Sequence, residues 1–413
     1  MTDSAIPSPP PRPPWKVVWA LSVTQIVSWG SLYYAISVLM VPIERDLGWS
    51  RDMIVGAYSL SLLSAGIGAF PAGLAIDRFG GRVVMTSGSA ITGILFMLLG
   101  WNNSIAGFYL IWIGLGLAMS TVLYEPAFAV INACFGSAAR KGITALTLAG
   151  GFASTVFWPL TQWLISMLGW RHTLFALALF NLLACVPLHF LFLPSRPRRK
   201  QAVNPAHGAT ILAQPGPGIR EVVTSRPFQF LAIAFTANML AFSPLSVHLI
   251  PLLQEKGFSI ADAVWLAALV GPMQVAGRIG EFTLGSRFRA RQVAAFALAM
   301  LPVSLLSLSF GGERLGVVIL FVVLYGASNG IMTIVRGLIP AEMFGRERYG
   351  AVTGALSTPV IASRALGPFM VSLIWSASGG YDAALWVLAA LGILSVIGFW
   401  LAVRDRSRSE PMR

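Results

Sequence analysis

The chain has 413 residues, of which 56% are hydrophobic and only 11% are charged, whereas about a quarter of the residues in an average soluble domain are charged. This composition excludes a soluble multidomain enzyme, because the surface of such a protein needs more polar residues. It fits twelve membrane-spanning helices, which would occupy about 240 residues, and the mean hydropathy of +0.74 agrees. The net charge of +13 then indicates either nucleic-acid binding or the sidedness of loops at a membrane.

A polar, proline-rich segment at residues 1–15 predicts a disordered N-terminal tail rather than a signal peptide. Apolar runs then predict six helices, at residues 16–41, 52–75, 83–101, 106–132, 142–168 and 173–193. A second set of six is predicted at residues 228–252, 261–284, 292–310, 316–339, 351–375 and 382–403. The two halves, 16–193 and 228–403, are separated by a polar connector at 194–227, and a C-terminal tail covers 404–413.

The basic residues show which way the helices cross the membrane. Most of the 29 Lys and Arg residues fall in one set of alternate loops, in the connector and in the tails, and few fall in the other set. The positive-inside rule therefore places both termini in the cytoplasm, and we expect a multi-pass protein of the cell (inner) membrane. Because the basic residues are spread over alternate loops, we expect no nucleic-acid partner.

An internal repeat relates the two halves at an offset of 209 residues. This offset pairs Pro42 with Pro251, Gly48 with Gly257, Ser50 with Ser259, Arg78 with Arg287, Arg82 with Arg291 and Pro159 with Pro368. The register holds without a gap from the first helix of each half to the fifth. We therefore predict an all-α integral membrane protein with 12 transmembrane helices, built as two parallel six-helix pseudo-repeats.

The loop after the second helix reads GLAIDRFGGR, from Gly73 to Arg82. Gly73 would permit close helix packing, Asp77 would lie near a helix end, and Gly80 would allow the tight reversal. Arg78 adds cytoplasmic charge. The second copy keeps the two arginines, as Arg287 and Arg291, but has Ser286 in place of the aspartate. A plain basic turn is the alternative.

This loop resembles the signature loop of the major facilitator superfamily, in which it helps to lock the cytoplasmic gate. The resemblance implies a substrate site between the two halves near the bilayer midplane. Helices 4 to 6 resemble more specifically the branch of monocarboxylate transporters and oxalate–formate antiporters. The matching parts are Gly150-Gly151, the later Pro159 and the sequence GWR at 169–171. This similarity covers most of the first half and is looser in the second.

Two arginines are predicted deep in the membrane, where an ionisable group normally faces a cavity or a partner. Arg278 lies eight residues before Ser286, about 12 Å from the membrane edge, and Arg364 lies about fourteen residues into helix 11. In the resembling family a helix 8 arginine binds the substrate carboxylate, and oxalate carriers add a cation on helix 11. Guanidinium binds carboxylate in bidentate fashion, so the pair predicts an organic anion. The alternative is that each arginine anchors backbone carbonyls.

Two departures leave the coupling ion open. Proton-coupled monocarboxylate carriers have an aspartate where this chain has Gln274, and their helix 1 lysine has no equivalent. Exchange, uniport or coupling through another carboxylate is open, and the candidate coupling ions are a proton and a counter-anion. Glu125 is the best candidate for an acidic residue inside the membrane. We hypothesise that it pairs with Arg336 across the inner gate. The alternative is a local partner for each, such as Glu342 for Arg336.

Further polar and aromatic side chains are candidates for the cavity wall, although such aromatics often pack or face lipid instead. They are Trp29, Tyr33, Tyr34, Asn238 and Asn329, together with Gln274. We place His248 near the outer interface on helix 7.

No nucleophile–base motif, phosphate loop or metal-ligand spacing is present in the sequence, and the two cysteines form no ligand motif. We therefore expect no enzyme, no cofactor and no metal. The leading hypothesis is a monomeric secondary transporter of a small organic anion that works by alternating access. The alternatives are a drug or toxic-compound exporter of the same fold and a non-transporting membrane sensor.

Overall fold

The computed structural model describes residues 14–135, 139–195, 219–284, 287–345 and 349–409, and the regular elements in these ranges are helices. Most of the predicted N-terminal tail and of the predicted connector lie outside the described residues. Ser286, the counterpart of Asp77, also lies outside them. The predicted helical fold is confirmed.

The first half contains six spans. They are α1 (Trp15–Leu47), α2 (Arg51–Phe79), α3 (Gly81–Trp101), α4 (Ile105–Phe135), α5 (139–168) and α6 (170–192). The last two are joined as Ala139–Phe192, but the backbone of Gly169 is not helical, with φ 77 and ψ 166. At about 1.5 Å per residue this 54-residue helix is far longer than one membrane crossing, so the break at Gly169 separates two spans.

The second half begins with a short helix, Ile219–Thr224. Its spans are α7 (Arg226–Phe242 and Leu245–Glu255), α8 (Ile260–Thr283), α9 (Ala290–Gly311), α10 (Leu315–Phe344), α11 (Tyr349–Ser378) and α12 (Tyr381–Ser409). The two parts of α7 are bent by 45°. Because α12 is helical to Ser409, the predicted tail at 404–413 begins too early.

The described residues contain ten helices long and apolar enough to cross a membrane, and the bent α7 makes eleven. Dividing Ala139–Phe192 at Gly169 makes this count compatible with the predicted twelve. Large apolar side chains on the outer surface are strongly exposed, for example Phe70 at 76% and Phe310 at 77%. Such extensive apolar exposure is typical of a surface that contacts lipid.

The repeat predicted from the sequence has a counterpart in the backbone. Gly48 and Gly257 both adopt positive φ, at 65° and 96°, where a glycine avoids steric strain. Two residues later, Ser50 and Ser259 each cap the following helix by accepting a hydrogen bond from a backbone N–H, that of Met53 or Asp262. We call the end of the bundle that carries these glycines the far end, and the end at which α1 begins the terminal end.

Glycine allows α2 and α4 to pack closely. A Cβ at Gly116 would overlap the carbonyl oxygen of Ser61 and the hydroxyl of Ser64. We expect Gly116→Ala to destabilise the protein by about 1–3 kcal/mol, seen as a lower thermal unfolding midpoint in detergent. Gly316→Ala is the control, because a Cβ there meets no atom within 4 Å. Equal midpoints for the two variants would contradict the close approach of α2 and α4.

Candidate functional site

The close crossing of α5 and α8 places Arg278 between the two halves. A Cβ at Gly271 of α8 would lie 2.8 Å from the carbonyl oxygen of Gly151 on α5. A Cβ at Gly151 would in turn lie 3.3 Å from Nη1 of Arg278. Gly151, which the sequence analysis singled out, and Gly271 therefore let the helices approach and leave space for the guanidinium of Arg278, a residue that is only 6% exposed.

Arg278 makes a hydrogen bond but no ion pair within the described residues. Its Nη1 donates to the carbonyl oxygen of Thr147, which is the kind of contact that the structural-anchor alternative predicts. Its Nε is buried and has no hydrogen-bond partner among the described residues. The Tyr124 hydroxyl lies beside the guanidinium. Within the described part of the chain, no carboxylate lies within ion-pair distance of Arg278.

Arg364 on α11 lies against aromatic rings of the other half. Its guanidinium carbon is 5.1 Å from the ring centroid of Trp29 and 4.9 Å from that of Tyr33, which is within cation–π range. A π-helical turn, Gly30–Tyr34, interrupts α1 at this point and sets the spacing of these rings. Trp29, Tyr33 and Arg364 therefore line one cavity of about 80 Å³.

Glu125 lines the same cavity as Arg364. The helix of α4 is interrupted at Leu123, where ψ is −155°, and it restarts at Tyr124 with Pro126 in its first turn. The break exposes the Glu125 side chain to the cavity, where its negative charge acts on Arg364. The sequence feature that could have pointed to Tyr124 is the Tyr-Glu-Pro run at residues 124–126. The sequence analysis assigned Tyr124 no role.

Arg336 of α10 is held by a neutral partner. Its Nη2 donates to Oδ1 of Asn238 on α7 at 2.8 Å. Within the described residues, Arg336 forms an ion pair with neither Glu125 nor Glu342. Glu342 instead accepts a hydrogen bond from Arg291 at 2.7 Å. The pairing of Glu125 with Arg336 stays a prediction for a different conformation.

The remaining predicted wall residues differ in their surroundings. Gln274 is buried beside the hydroxyl of Tyr34. The Tyr34 backbone carbonyl accepts from Nε1 of Trp158 at 3.0 Å, so its position is fixed by α5. Asn329 is partly buried on α10.

A larger cavity of about 580 Å³ extends from Arg278 toward the terminal end. It lies between the halves, with α4 and α5 on one side and α8 and α10 on the other, and Arg140, Glu281 and Thr333 are among its lining residues. Within the described residues, no group of His, Cys, Asp and Glu could hold a metal ion. The lining combines these charged and hydroxyl groups with apolar side chains such as Phe128 and Ile279.

The signature loop lies at the terminal end. Gly80 ends α2 with φ 85, as the predicted reversal requires, and Nε of Arg82 donates to the Leu193 carbonyl at 2.7 Å. The prediction for Gly73 was wrong, because a Cβ there would meet no atom within 4 Å. Asp77 and Arg78 are exposed, as is Arg287 in the second copy.

A cluster at the far end joins the halves, and the sequence analysis, which gave Arg51 no role of its own, missed it. The guanidinium carbon of Arg51 lies 3.7 Å from the ring centroid of Trp375. The adjacent Asp52 accepts from the hydroxyls of Ser372 at 2.5 Å and Ser376 at 2.9 Å. We call these five residues the far-end clasp, which connects the start of α2 to α11.

A buried hydrogen-bond chain continues from the clasp. Arg51 Nη1 donates to the Tyr381 hydroxyl at 3.2 Å, and this hydroxyl lies 2.8 Å from Nδ1 of His248. Nε2 of His248 lies 3.0 Å from the carbonyl oxygen of Pro368. A carbonyl only accepts, so Nε2 carries the proton and Nδ1 accepts from Tyr381. His248 is fully buried, and this chain of contacts places it at the far end of α7.

Comparison with known proteins gives the family. Residues 21–285 match the profile described as the Major Facilitator Superfamily. The chain belongs to this superfamily. Its relatives carry the names of transporters, so the prediction that the protein is not an enzyme is confirmed.

Two similar sequences cover most of the chain. Monocarboxylate transporter 13 of Rattus norvegicus is 23% identical over 360 residues, which are 83% of this chain and 79% of the relative. The probable galactarate/D-glucarate transporter GudP of Bacillus subtilis (strain 168) is 23% identical over 425 residues, covering 94% of this chain and 91% of the relative. These names agree with the predicted branch of the family.

Solved structures share the fold. A mutant of the nucleoside transporter NupG has a TM-score of 0.75 at 14% identity, and the match covers 94% of this chain and 98% of that one. A bacterial homologue of the human lysosomal transporter Spinster, described as inward-facing and unoccupied, has a TM-score of 0.69 at 18% identity, covering 97% of this chain and 99% of that one. At these identities the likeness shows the fold alone.

Proposed function

We propose that this secondary transporter moves a small organic anion, of mono- or dicarboxylate type, by alternating access across the cell (inner) membrane. Arg278 and Arg364 bind the anion, and Trp29, Tyr33, Tyr34, Gln274, Asn238 and Asn329 line or support the path between them. The protein works as a monomer, and a proton or a counter-anion drives accumulation.

The observation that carries the proposal is the state of Arg278. A permanently charged guanidinium is buried between the halves without a carboxylate partner in the described chain, and its Nε lacks an acceptor. Burying an uncompensated charge and an unsatisfied donor is unfavourable. A substrate carboxylate would satisfy both, because it supplies a negative charge and acceptor oxygens.

The direction of access follows from the two ends. The far-end clasp joins α2 to α11, whereas the 580 Å³ cavity runs from Arg278 toward the terminal end. The distribution of basic residues supports a cytoplasmic terminal end. We therefore assign this structure to a state in which the substrate exchanges with the cytoplasm, with Asp77 and Arg78 of the signature loop disengaged. The halves, residues 16–193 and 228–403, rock about the site in the transport cycle.

Thermal stabilisation of the purified protein tests the class of substrate. A panel of carboxylates, amino acids, sugars, nucleosides and cationic drugs is added to wild-type protein in detergent, and the unfolding midpoint is measured. We expect a concentration-dependent rise with carboxylates, because a ligand that binds only the folded state stabilises it. Stabilisation by cationic drugs without any by carboxylates would favour the exporter alternative and contradict the proposal.

A further inference from the structure

Within the described chain, the middle of the spans carries more positive than negative charge. Arg278, Arg336 and Arg364 lie on three helices of the second half, and the acid Glu125 shares a cavity with Arg364. The cavity of Arg278 is also lined by Glu281 and Arg140, whose opposite charges offset each other. The three arginines and Glu125 therefore leave two positive charges in excess. Charged groups inside a membrane are costly unless they pair, so this excess favours an anionic ligand.

Arg336 contributes one of these charges without a charged partner. Its Nη2 donates to Asn238, which is 2% exposed and therefore a fixed acceptor. Because an amide is neutral, this bond orients the guanidinium but leaves its charge uncompensated. The Nε of Arg336 is buried and has no acceptor among the described residues. Arg336 therefore carries an unsatisfied donor, and its half-buried side chain lies on the helix whose Thr333 and Ile334 line the large cavity.

Arg364 cannot compensate the charge of Arg336, because it is itself a cation. The two positive charges repel each other. Glu125 acts on Arg364 and offsets one charge of the three. Arg278, on the wall of the large cavity, has the same kind of unsatisfied Nε as Arg336. The wall of that cavity also includes Thr333, one helical turn before Arg336 on α10.

We infer that the substrate is a dicarboxylate dianion, and that Arg336, oriented by Asn238, recognises its second carboxylate. This inference rests on the proposed function and narrows it. A monocarboxylate would leave one excess positive charge and one unsatisfied Nε in the site. A dianion balances the charge and supplies acceptors to both arginines. Arg336 is thus the specificity-determining residue that distinguishes dicarboxylates from monocarboxylates.

The test compares ligands of equal chain length. Dissociation constants of dicarboxylates with three to six carbons, such as succinate, and of the matching monocarboxylates, such as butyrate, are measured by calorimetry on purified full-length protein. For the best chain length, we expect wild-type protein to bind the dicarboxylate at least tenfold more tightly. Arg336→Gln should remove most of this preference, with a change of less than about threefold for the monocarboxylate. Arg336→Lys, which keeps the charge, should retain part of it.

The control and the contrary outcomes separate the two proposals. Arg45→Gln, at an exposed far-end position, should leave both affinities unchanged. Equal wild-type affinities for the two ligand series would overturn the dicarboxylate inference and leave the anion transporter intact. An equal loss of both affinities in Arg336→Gln would show that Arg336 does not recognise the second carboxylate. If neither series binds while an uncharged or cationic ligand does, the proposed function itself fails.

Discussion

Replacing Arg278 by alanine is expected to weaken carboxylate binding by about 100-fold or more. Removing one partner of a buried, hydrogen-bonded charge pair typically costs about 2–5 kcal/mol, and each 1.4 kcal/mol corresponds to a factor of ten in affinity. The effect should be large here because Arg278 is 6% exposed, so water does not replace the lost contact. Calorimetric titration of wild type and variant with the best carboxylate measures the change.

Two companion variants separate binding from structural anchoring. Arg278→Lys keeps the charge but lacks the planar fork of donors, so we expect an intermediate loss. Arg220→Ala, at an exposed position in the short helix before α7, should bind as wild type does. If Arg278→Ala lowered the unfolding midpoint but bound carboxylate with unchanged affinity, the bond to the Thr147 carbonyl would be the whole role of Arg278.

Breaking the far-end clasp is expected to open the far end. Asp52→Ala removes the acceptor of hydrogen bonds from Ser372 and Ser376, and hydrogen bonds to a charged group contribute about 1.5–3 kcal/mol. Losing about 3 kcal/mol would shift the equilibrium between the two access states by about 100-fold. Arg51→Ala should act in the same direction, because it removes the stacking on Trp375 and the bond to Tyr381.

Spin labels across the far end measure this opening. Ala106 on α4 and Glu313 between α9 and α10 are exposed far-end positions in different halves, and both native cysteines are replaced by serine. We expect a longer distance to dominate in Asp52→Ala. Lys256→Ala is the control, since the Lys256–Asp382 ion pair joins residues of the same half. Unchanged distances in Asp52→Ala and Arg51→Ala would show that the clasp does not hold the halves together.

The spans, and the helices that carry the key arginines, could be predicted from local sequence. Each span is a continuous apolar run, and the far-end turns need glycine at Gly48 and Gly257, whose φ values are positive. A basic residue within such a run, as at Arg278, is costly in a membrane and normally faces a cavity or a partner. The sequence therefore contained the location of the candidate site, although not its contacts.

The contacts across the interface could not be predicted, because they join residues that are distant in the chain. Arg51 stacks on Trp375, although the two residues lie in different halves of the chain. Tyr124, at the restart of α4 after the break at Leu123, lies beside Arg278 of the other half. The failure at Gly73 has a similar cause, since a small residue permits close packing but does not show whether another helix lies there.

Counterflow in proteoliposomes tests the central claim most directly. Vesicles containing the purified protein are loaded with an unlabelled carboxylate that raises the unfolding midpoint, and uptake of the same labelled compound from outside is followed. We predict saturable uptake that internal carboxylate accelerates and that Arg278→Ala abolishes. Uptake equal to that of protein-free vesicles, or equal uptake by wild type and Arg278→Ala, would contradict transport of an organic anion through this site.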